Sequence, residues 1–228
     1  MYLQIVCLFV LFGCMGESMA QNQNQPDVVL QGKGKVTKIV RRVKPFTEIS
    51  AAGPFELVLH HGKMEDASVE IDENLQQYVS VKSDGKTLKI SVQKGYTFKN
   101  FNKFVVYVSF VNLDKISAAG LKKLEGDNAF HLQNLNLSFA GVEKVSMNLE
   151  LNKLELSSAG GGDIILAGKA NSATYSRAGG GELDVLGFKV RNVTANLVGG
   201  SNASLYTEDK MEVNINQGGA KPAKKKEK

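Results

Sequence analysis

The sequence predicts an all-β protein, a single-domain parallel β-solenoid (β-helix) with coils of about 19–21 residues and a more irregular, strand-rich N-terminal part. Three observations predict this fold. A small residue followed by glycine recurs along the chain, apolar residues fall into columns with the same spacing, and no long stretch has the 3.6-residue period of a helix. The composition agrees, because 43% apolar and 22% charged residues are typical of a globular chain of 228 residues.

The recurring glycines set the period of the predicted coils. Intervals of 21, 19, 19, 20 and 19 residues separate Gly120, Gly141, Gly160, Gly179, Gly199 and Gly218. Three residues before the first five glycines stand Ser117, Ser138, Ser157, Ser176 and Asn196. Four residues before them stand Ile116, Leu137, Leu156, Tyr175 and Ala195. We interpret the apolar column as the buried side of stacked strands and the serine column as polar packing between coils. The alternative, an antiparallel sandwich, needs hairpin turns about every 8–12 residues and fits this register less well.

The predicted solenoid domain covers residues 31–219, with an irregular part over 31–112 and regular coils over 113–219. Within the irregular part, Ser83–Lys86 has the composition of a hairpin turn, and Glu73–Tyr78 forms one helical turn at most. Alternation predicts strands at 55–59, 68–72, 79–81, 86–92 and 103–110. We interpret one aromatic cluster as core or cap packing, with a stacking platform for glycans as the alternative: Tyr96, Phe98, Phe101, Phe104 and Tyr107.

Residues 1–20 have the pattern of a secretory signal peptide. The apolar run Leu3–Phe12 is followed by Ser18–Ala20, whose small residues suit cleavage before Gln21, although no Lys or Arg precedes the run. The alternative is a lipoprotein signal, with a lipid anchor on Cys14. Residues 21–30 are predicted to be a flexible linker. The other cysteine, Cys7, lies in the signal as well, which excludes a disulfide framework and a Cys-based zinc site from the body.

Positive charge is concentrated at the C-terminus, where residues 220–228 are predicted to form a disordered, Lys-rich tail. The tail carries +4 of the formal net charge of +5, and removal of Glu17 with the signal leaves the body at +2. A body so weakly basic does not indicate nucleic-acid binding.

The strongest candidate for a binding surface is an outward ladder of polar residues. Its ligand-facing members are Lys144, Asp163, Glu182 and Asn202, one from each coil, with Asp184 two residues beyond Glu182 on the same face. Stacking would place the backbones of Asp163 and Glu182 about 4.8 Å apart. Carboxylates this close could serve acid–base chemistry on sugars, so a carbohydrate-active enzyme using Asp163, Glu182 and Asp184 is the alternative to a binding surface.

Other chemistry is poorly supported by the sequence. His60 and His61 are adjacent in a predicted strand, so their side chains point to opposite faces and are interpreted as surface histidines at a strand end. The chain has no Gly-x-Ser-x-Gly elbow, phosphate loop or dinucleotide fingerprint. We therefore predict no catalytic, cofactor-binding or metal-binding residues.

Over Gly32–Gly219 the chain resembles the head GIN domain family of putative auto-transporter adhesins, which occurs in secreted and envelope proteins of Bacteroidetes-type bacteria. The resemblance rests on the segments Gly32–Gly34, Phe46–Ile49, Gly53–Leu57 with Gly62, Val69–Leu75 with Tyr78, and the Ala-Gly-Gly-Gly bends at 159–162 and 178–181. It implies a β-solenoid fold and an exported location. The Lys-rich tail departs from the pattern.

The sequence thus predicts an exported, non-enzymatic, adhesin-like protein of the cell envelope or surface. The expected location is the periplasm, the outer-membrane surface or the medium. The expected partner is a glycan or an envelope or host surface protein that binds a face of the solenoid, with no nucleic acid, no cofactor and no membrane span.

Overall fold

Strands dominate the structure, a computed structural model that describes residues 27–216. A single 3₁₀ helix occurs in this range, at Glu73–Tyr78, where one helical turn was predicted. The strands in chain order are β1 Val28–Gln31, β2 Val36–Arg41, β3 Glu48–Ala52, β4 Glu56–His61, β5 Asp66–Asp72, β6 Val79–Ser83, β7 Thr87–Val92, β8 Tyr96–Lys99, β9 Phe104–Phe110, β10 Lys115–Ala119, β11 Lys123–His131, β12 Asn134–Ala140, β13 Lys144–Ala159, β14 Asp163–Ala178, β15 Glu182–Val198, β16 Asn202–Ser204 and β17 Lys210–Asn216.

Fifteen of these strands form one mixed sheet, and β1 and β8 form a separate parallel pair. The path runs β2-β5-β9-β4-β11-β13-β12-β10-β3-β7-β6, and β14 to β17 continue from β13. The long strands β13, β14 and β15 each run through two limbs of the sheet. The first part of β13 pairs with β11, and we call this side the first limb; its last part pairs with β12, and we call that side the second limb. Strands β14 and β15 continue both limbs. The sheet therefore bends back on itself into a nearly closed, barrel-like arrangement around the core.

The predicted parallel β-solenoid is wrong. Strand β5 lies antiparallel to both β2 and β9, and β6 lies antiparallel to β7, so the sheet is mixed. The glycine spacing reports only the register between neighbouring strands of the C-terminal half, where the pairs are parallel. In the N-terminal half, alternation of apolar and polar residues is the same for both strand directions, so the sequence could not reveal how the chain closes the sheet.

The register of the columns was predicted correctly even though the architecture was not. Ser138 pairs with Ser157, Ser157 with Ser176, and Ser176 with Asn196. The apolar column one residue earlier is buried throughout, at Ile116, Leu137, Leu156, Tyr175 and Ala195. The spacing of about twenty residues is therefore a property of strand pairing, and it does not define a stack of separate coils.

The core fills the space between the two limbs with the inward side chains of most strands. The largest fully buried side chains include Tyr175, Phe55, Phe110, Phe130 and Phe188. Burial raises the pKa of Tyr175. In the predicted aromatic cluster, Phe98 and Phe104 are buried with ring centroids 5.7 Å apart, and Tyr96 and Phe101 pack half-buried against the core, as expected of core or cap residues. Tyr107 is half-buried, and its hydroxyl donates to Glu70 Oε2 at 2.9 Å.

The bends between the limbs need glycine for two physical reasons. Gly160 and Gly179 have φ values of +120° and +127°, which side-chain-bearing residues rarely adopt. A Cβ on Gly179 would also lie 2.4 Å from the carbonyl oxygen of Gly160 in the neighbouring strand connection. The glycine-rich bends are thus packed backbone against backbone.

Several predictions fall at or beyond the ends of the described range. The signal peptide, Cys7, Cys14, Gly218 and the tail at 220–228 lie outside the described residues. Strand β1 begins at Val28, inside the segment 21–30 for which a flexible linker was expected. Within residues 27–216 no helix is both long enough and apolar enough to cross a membrane.

Candidate functional site

The ladder predicted from the sequence occupies one outward column of the first limb. Lys144 pairs with Asp163, and Glu182 pairs with Asn202, in consecutive parallel strands. The column is continuous between them, because Asp163 Oδ1 accepts a hydrogen bond from the Glu182 backbone N–H at 3.0 Å. All four side chains are exposed, whereas Asp184, two residues further along β15, is half-buried.

Two of the three ladder carboxylates accept hydrogen bonds from backbone N–H groups. Asp163 Oδ1 accepts the N–H of Glu182, and Asp184 Oδ1 accepts the N–H of Leu186 at 3.1 Å. These bonds fix the carboxylates against the strand ends. The ladder is therefore an ordered polar surface. Among the described residues, its other members, Lys144, Glu182 and Asn202, are exposed and form no side-chain hydrogen bond to the backbone.

The second limb carries a longer outward column, with one residue from each of eight strands. From the N-terminal end of the sheet it runs Thr87, Glu48, Lys115, Asn136, Glu155, Thr174, Thr194 and Glu212. Hydrogen bonds cross the strands in this column, from Asn136 Nδ2 to Glu155 Oε2 at 3.0 Å and from Thr87 Oγ1 to Glu48 Oε2 at 3.1 Å. The serine column lies beside it, so this face is polar and regular.

Ion pairs order two of the three acidic members of this column, Glu48 and Glu155. Lys86 Nζ lies 3.0 Å from Glu48 Oε1, and Lys153 Nζ lies 2.6 Å from Glu155 Oε1. The hydrogen bond from Lys86, followed by that from Thr87, lowers the pKa of Glu48. The hydrogen bond from Lys153 lowers the pKa of Glu155 in the same way. Both carboxylates are therefore held ionised on the outward face.

A cleft of about 530 Å³ opens at the corner between the two limbs, and we call it the polar cleft. It is lined by Asn112, Leu113, Asp114, His131, Leu132, Gln133, Asn134 and Glu150. His131 Nδ1 lies 3.2 Å from Glu150 Oε2, and Lys169 Nζ lies 3.2 Å from the same oxygen. The hydrogen bond from Lys169 lowers the pKa of Glu150. Amides, two carboxylates and an imidazole thus converge on one concave surface, which suits hydroxyl-rich ligands.

A second cleft of about 360 Å³ lies next to it along the corner, and we call it the basic cleft. It is lined by Leu151, Lys169, Ala170, Asn171, Lys189, Arg191 and Glu208. The two clefts adjoin, because Glu150 and Leu151 are consecutive and Glu150 pairs with Lys169 across β13 and β14. The basic cleft brings three cations together around one carboxylate.

The sequence did not predict either cleft. Their residues come from strand ends and from the middle of the long strands, where the sequence shows no break and the limbs change direction. The run of polar residues Gln133–Asn134 between two apolar strands is the one local signal that could have indicated the polar cleft.

His60 and His61 lie on opposite sides of β4, as predicted, but His61 is half-buried and is not the surface residue that the sequence predicted. His60 Nδ1 lies 2.8 Å from Asp127 Oδ1. His61 Nδ1 accepts the backbone N–H of His131 at 3.1 Å, and its Nε2 donates to the carbonyl oxygen of Val111. The ring of His61 stacks on Phe110 with centroids 5.2 Å apart. Both ring nitrogens of His61 are thereby used in packing the end of the strand.

Comparison with known families shows which family the chain belongs to. The family model described as "putative auto-transporter adhesin, head GIN domain" matches residues 45–221. This match covers most of the chain, and the protein belongs to that family. No curated protein is significantly similar in sequence.

Solved structures share the fold at low sequence identity. A putative adhesin from Bacteroides fragilis is 20% identical with a TM-score of 0.79, over 85% of this chain and 99% of that one. A putative adhesin from Parabacteroides merdae is 24% identical with a TM-score of 0.64, over 82% and 88%. A putative lipid binding protein from Parabacteroides distasonis is 17% identical with a TM-score of 0.63, over 86% and 99%. At these identities the comparison concerns the fold alone.

Proposed function

We propose that this protein is exported and acts, without catalysis, as an adhesin-like binding protein of the cell envelope or surface. The observation that carries the proposal is the set of in-register polar columns on the outside of a sheet whose inner face is filled by apolar side chains. Membership of the adhesin family supports it. A large pre-organised surface of this kind loses little side-chain entropy when it binds a partner.

The partner is a glycan or a protein of an envelope or host surface. The exposed ladder of Lys144, Asp163, Glu182 and Asn202, with Asp184 beside it, offers charges of both signs in a fixed order. The polar cleft offers amide and carboxylate groups that can bond to hydroxyls. Both features favour recognition of a polar surface over insertion into an apolar one.

The arrangement of the carboxylates disfavours the alternative of a carbohydrate-active enzyme. A general acid and its partner need carboxyl groups that face the substrate. Asp163 and Asp184 instead direct an oxygen to the backbone N–H groups of Glu182 and Leu186. We accordingly expect Asp163→Asn and Glu182→Gln to change retention on a ligand surface without revealing any turnover.

The test is retention of the purified full chain on immobilised polysaccharides, cell-wall material and extracellular matrix proteins. We expect retention on one of these surfaces without release of new sugar ends. Exchanging the ladder charges, with Lys144→Glu and Glu182→Lys together, should weaken that retention at unchanged net charge. A matched exchange elsewhere, Lys82→Glu with Glu73→Lys, should not. Absence of retention on every surface, or equal loss in both double variants, would contradict the proposal.

Export and a lipid anchor on Cys14 are proposed from the sequence alone. Cleavage before Gln21 would release a soluble chain, whereas acylation of Cys14 would hold it at a membrane surface. The mass of the mature N-terminal peptide distinguishes the two, because the second form begins seven residues earlier and carries lipid.

A further inference from the structure

We propose that the basic cleft binds the anionic group of an acidic polysaccharide, a uronate carboxylate or a sulfate ester, while the adjoining polar cleft takes the neighbouring sugar hydroxyls. This inference rests on the proposed function and names the class of glycan. It begins from charge placement. Lys169 and Lys189 pair directly across β14 and β15, and Arg191 lies two residues beyond Lys189 on the same exposed side of β15.

The like charges are only partly compensated within the chain. Lys169 Nζ and His131 Nδ1 each lie 3.2 Å from Glu150 Oε2, so these two groups share one carboxylate. Neither Lys189 nor Arg191 takes part in any ion pair among residues 27–216. Glu208 is the one carboxylate that lines the cleft beside three cations. Like charges on directly paired strands repel one another, so a bound anion would relieve a repulsion that folding leaves in place.

The form of the cleft suits a carboxylate or a sulfate. Arg191 can offer two parallel N–H donors to either group, and Lys169 and Lys189 supply further charge. Asn171 lies at the same corner, where its Nδ2 donates to Asn152 Oδ1 at 2.8 Å and its own side-chain oxygen remains an acceptor for a sugar hydroxyl. The apolar lining residues Leu151 and Ala170 are buried under the cleft and offer little surface to a lipid chain.

The adjoining polar cleft favours a glycan over a lone anion as the ligand. Asn112, Gln133 and Asn134 are exposed there and offer both donors and acceptors, as hydroxyl groups require. Glu150 joins the two clefts through its ion pair with Lys169. A ligand that spans them must combine one negative charge with neighbouring hydroxyls, which is the chemistry of an acidic sugar chain.

The experiment measures binding of the full chain to an oligogalacturonate and a heparin oligosaccharide, with a neutral maltooligosaccharide of equal length as reference. We expect at least one acidic oligosaccharide to bind more tightly than the neutral one. Lys189→Gln with Arg191→Gln should weaken that binding about tenfold or more, because two charge-assisted contacts are lost. Binding should also weaken as salt rises.

The matched control is Lys82→Gln with Lys94→Gln, which removes the same charge from exposed residues outside both clefts. It should keep binding within about twofold of the unchanged chain, since only screened long-range attraction is lost. Equal loss in both double variants, or equal affinity for the neutral oligosaccharide, would overturn the inference.

Two further probes separate the sources of the anion. Inorganic phosphate that displaces the oligosaccharide at equal concentration would mark a site for a small free anion, and binding to vesicles containing phosphatidylglycerol without binding to either acidic oligosaccharide would mark a lipid site. Either result overturns the inference. If no acidic oligosaccharide binds but the chain is retained on a protein or neutral surface, the proposed function stands and this inference fails.

Discussion

At the scale of single residues, buried polar side chains hold the parts of the chain that have no regular pairing. Asp72 is fully buried, and its two carboxylate oxygens accept the backbone N–H groups of Gly34 at 2.6 Å and Asn102 at 3.0 Å. A Cβ on Gly32 would lie 2.7 Å from Asp72 Oδ1. The glycines of the Gly32–Gly34 segment, which precedes the residues that the family model matches, are therefore explained by the close approach of the segment to a buried carboxylate.

Arg177 stabilises the glycine-rich bends from inside. It is 4% exposed, and its Nη2 donates to the carbonyl oxygens of Gly162 and Gly180. Burial lowers its pKa. We expect Arg177→Ala to lower the free energy of unfolding by about 2–3 kcal/mol, since two carbonyls lose a charged donor.

The measurement is urea unfolding followed by circular dichroism. Arg42→Ala, which removes the same side chain from an exposed position, should change the free energy of unfolding by less than about 0.5 kcal/mol. Similar midpoints for the two variants would show that Arg177 does not hold the bends.

Asp84 gives the hairpin between β6 and β7 a dependence on pH. Its Oδ1 accepts the backbone N–H groups of Thr87 at 2.9 Å and Lys86 at 3.1 Å. These bonds, with Lys89, lower its pKa from 3.8 to about 2. Because the pKa is lower in the folded state, the stabilisation is complete above the unfolded value and is lost as the pH falls from about 4 to about 2.

We therefore expect Asp84→Ala to lower Tm at pH 7 and to flatten the fall of Tm between about pH 4 and pH 2. Asp84→Asn is the matched variant, because its side-chain oxygen can still accept both N–H groups without titrating. Thermal melts across this pH range decide the matter. A fall of Tm in Asp84→Ala as steep as in the unchanged chain would disprove the assignment.

At the scale of elements, the stacking of bends depends on glycine at particular positions. A Cβ on Gly179 would meet backbone atoms of Gly160, and its φ is positive. We expect Gly179→Ala to destabilise the protein by about 2 kcal/mol. Gly161→Ala should have little effect, because a Cβ there has no neighbour within 4 Å. Equal unfolding midpoints for these two variants would argue against backbone-to-backbone packing at the bends.

The strands show what the sequence could and could not predict. Apolar residues two apart and glycines about twenty apart were enough to place Ser157 beside Ser176 and Lys144 beside Asp163. They could not place β5, because its alternation is compatible with either direction, and its antiparallel pairing is decided by how the chain returns from β4. The ladder was predictable because it follows local register. The clefts were not, because they depend on where β13 to β15 bend.

At the scale of the whole molecule, the mixed sheet separates two tasks. The inner face of the sheet is apolar and supplies stability, and the outer face carries polar columns and the two corner clefts. Substitutions on the outer face should therefore alter binding with small effects on folding, whereas substitutions in the core should do the reverse. This separation suits a member of a family described as putative auto-transporter adhesins.

We propose that this outer surface meets its partner outside the cell, and protease treatment of intact cells tests this central claim most directly. The readout is an immunoblot with an antibody against residues 21–228, with a periplasmic protein as the control for cell integrity. We predict that the protein disappears while the periplasmic control survives. Full protection of the protein, with digestion only after lysis, would contradict a role in adhesion and would place its partner within the envelope.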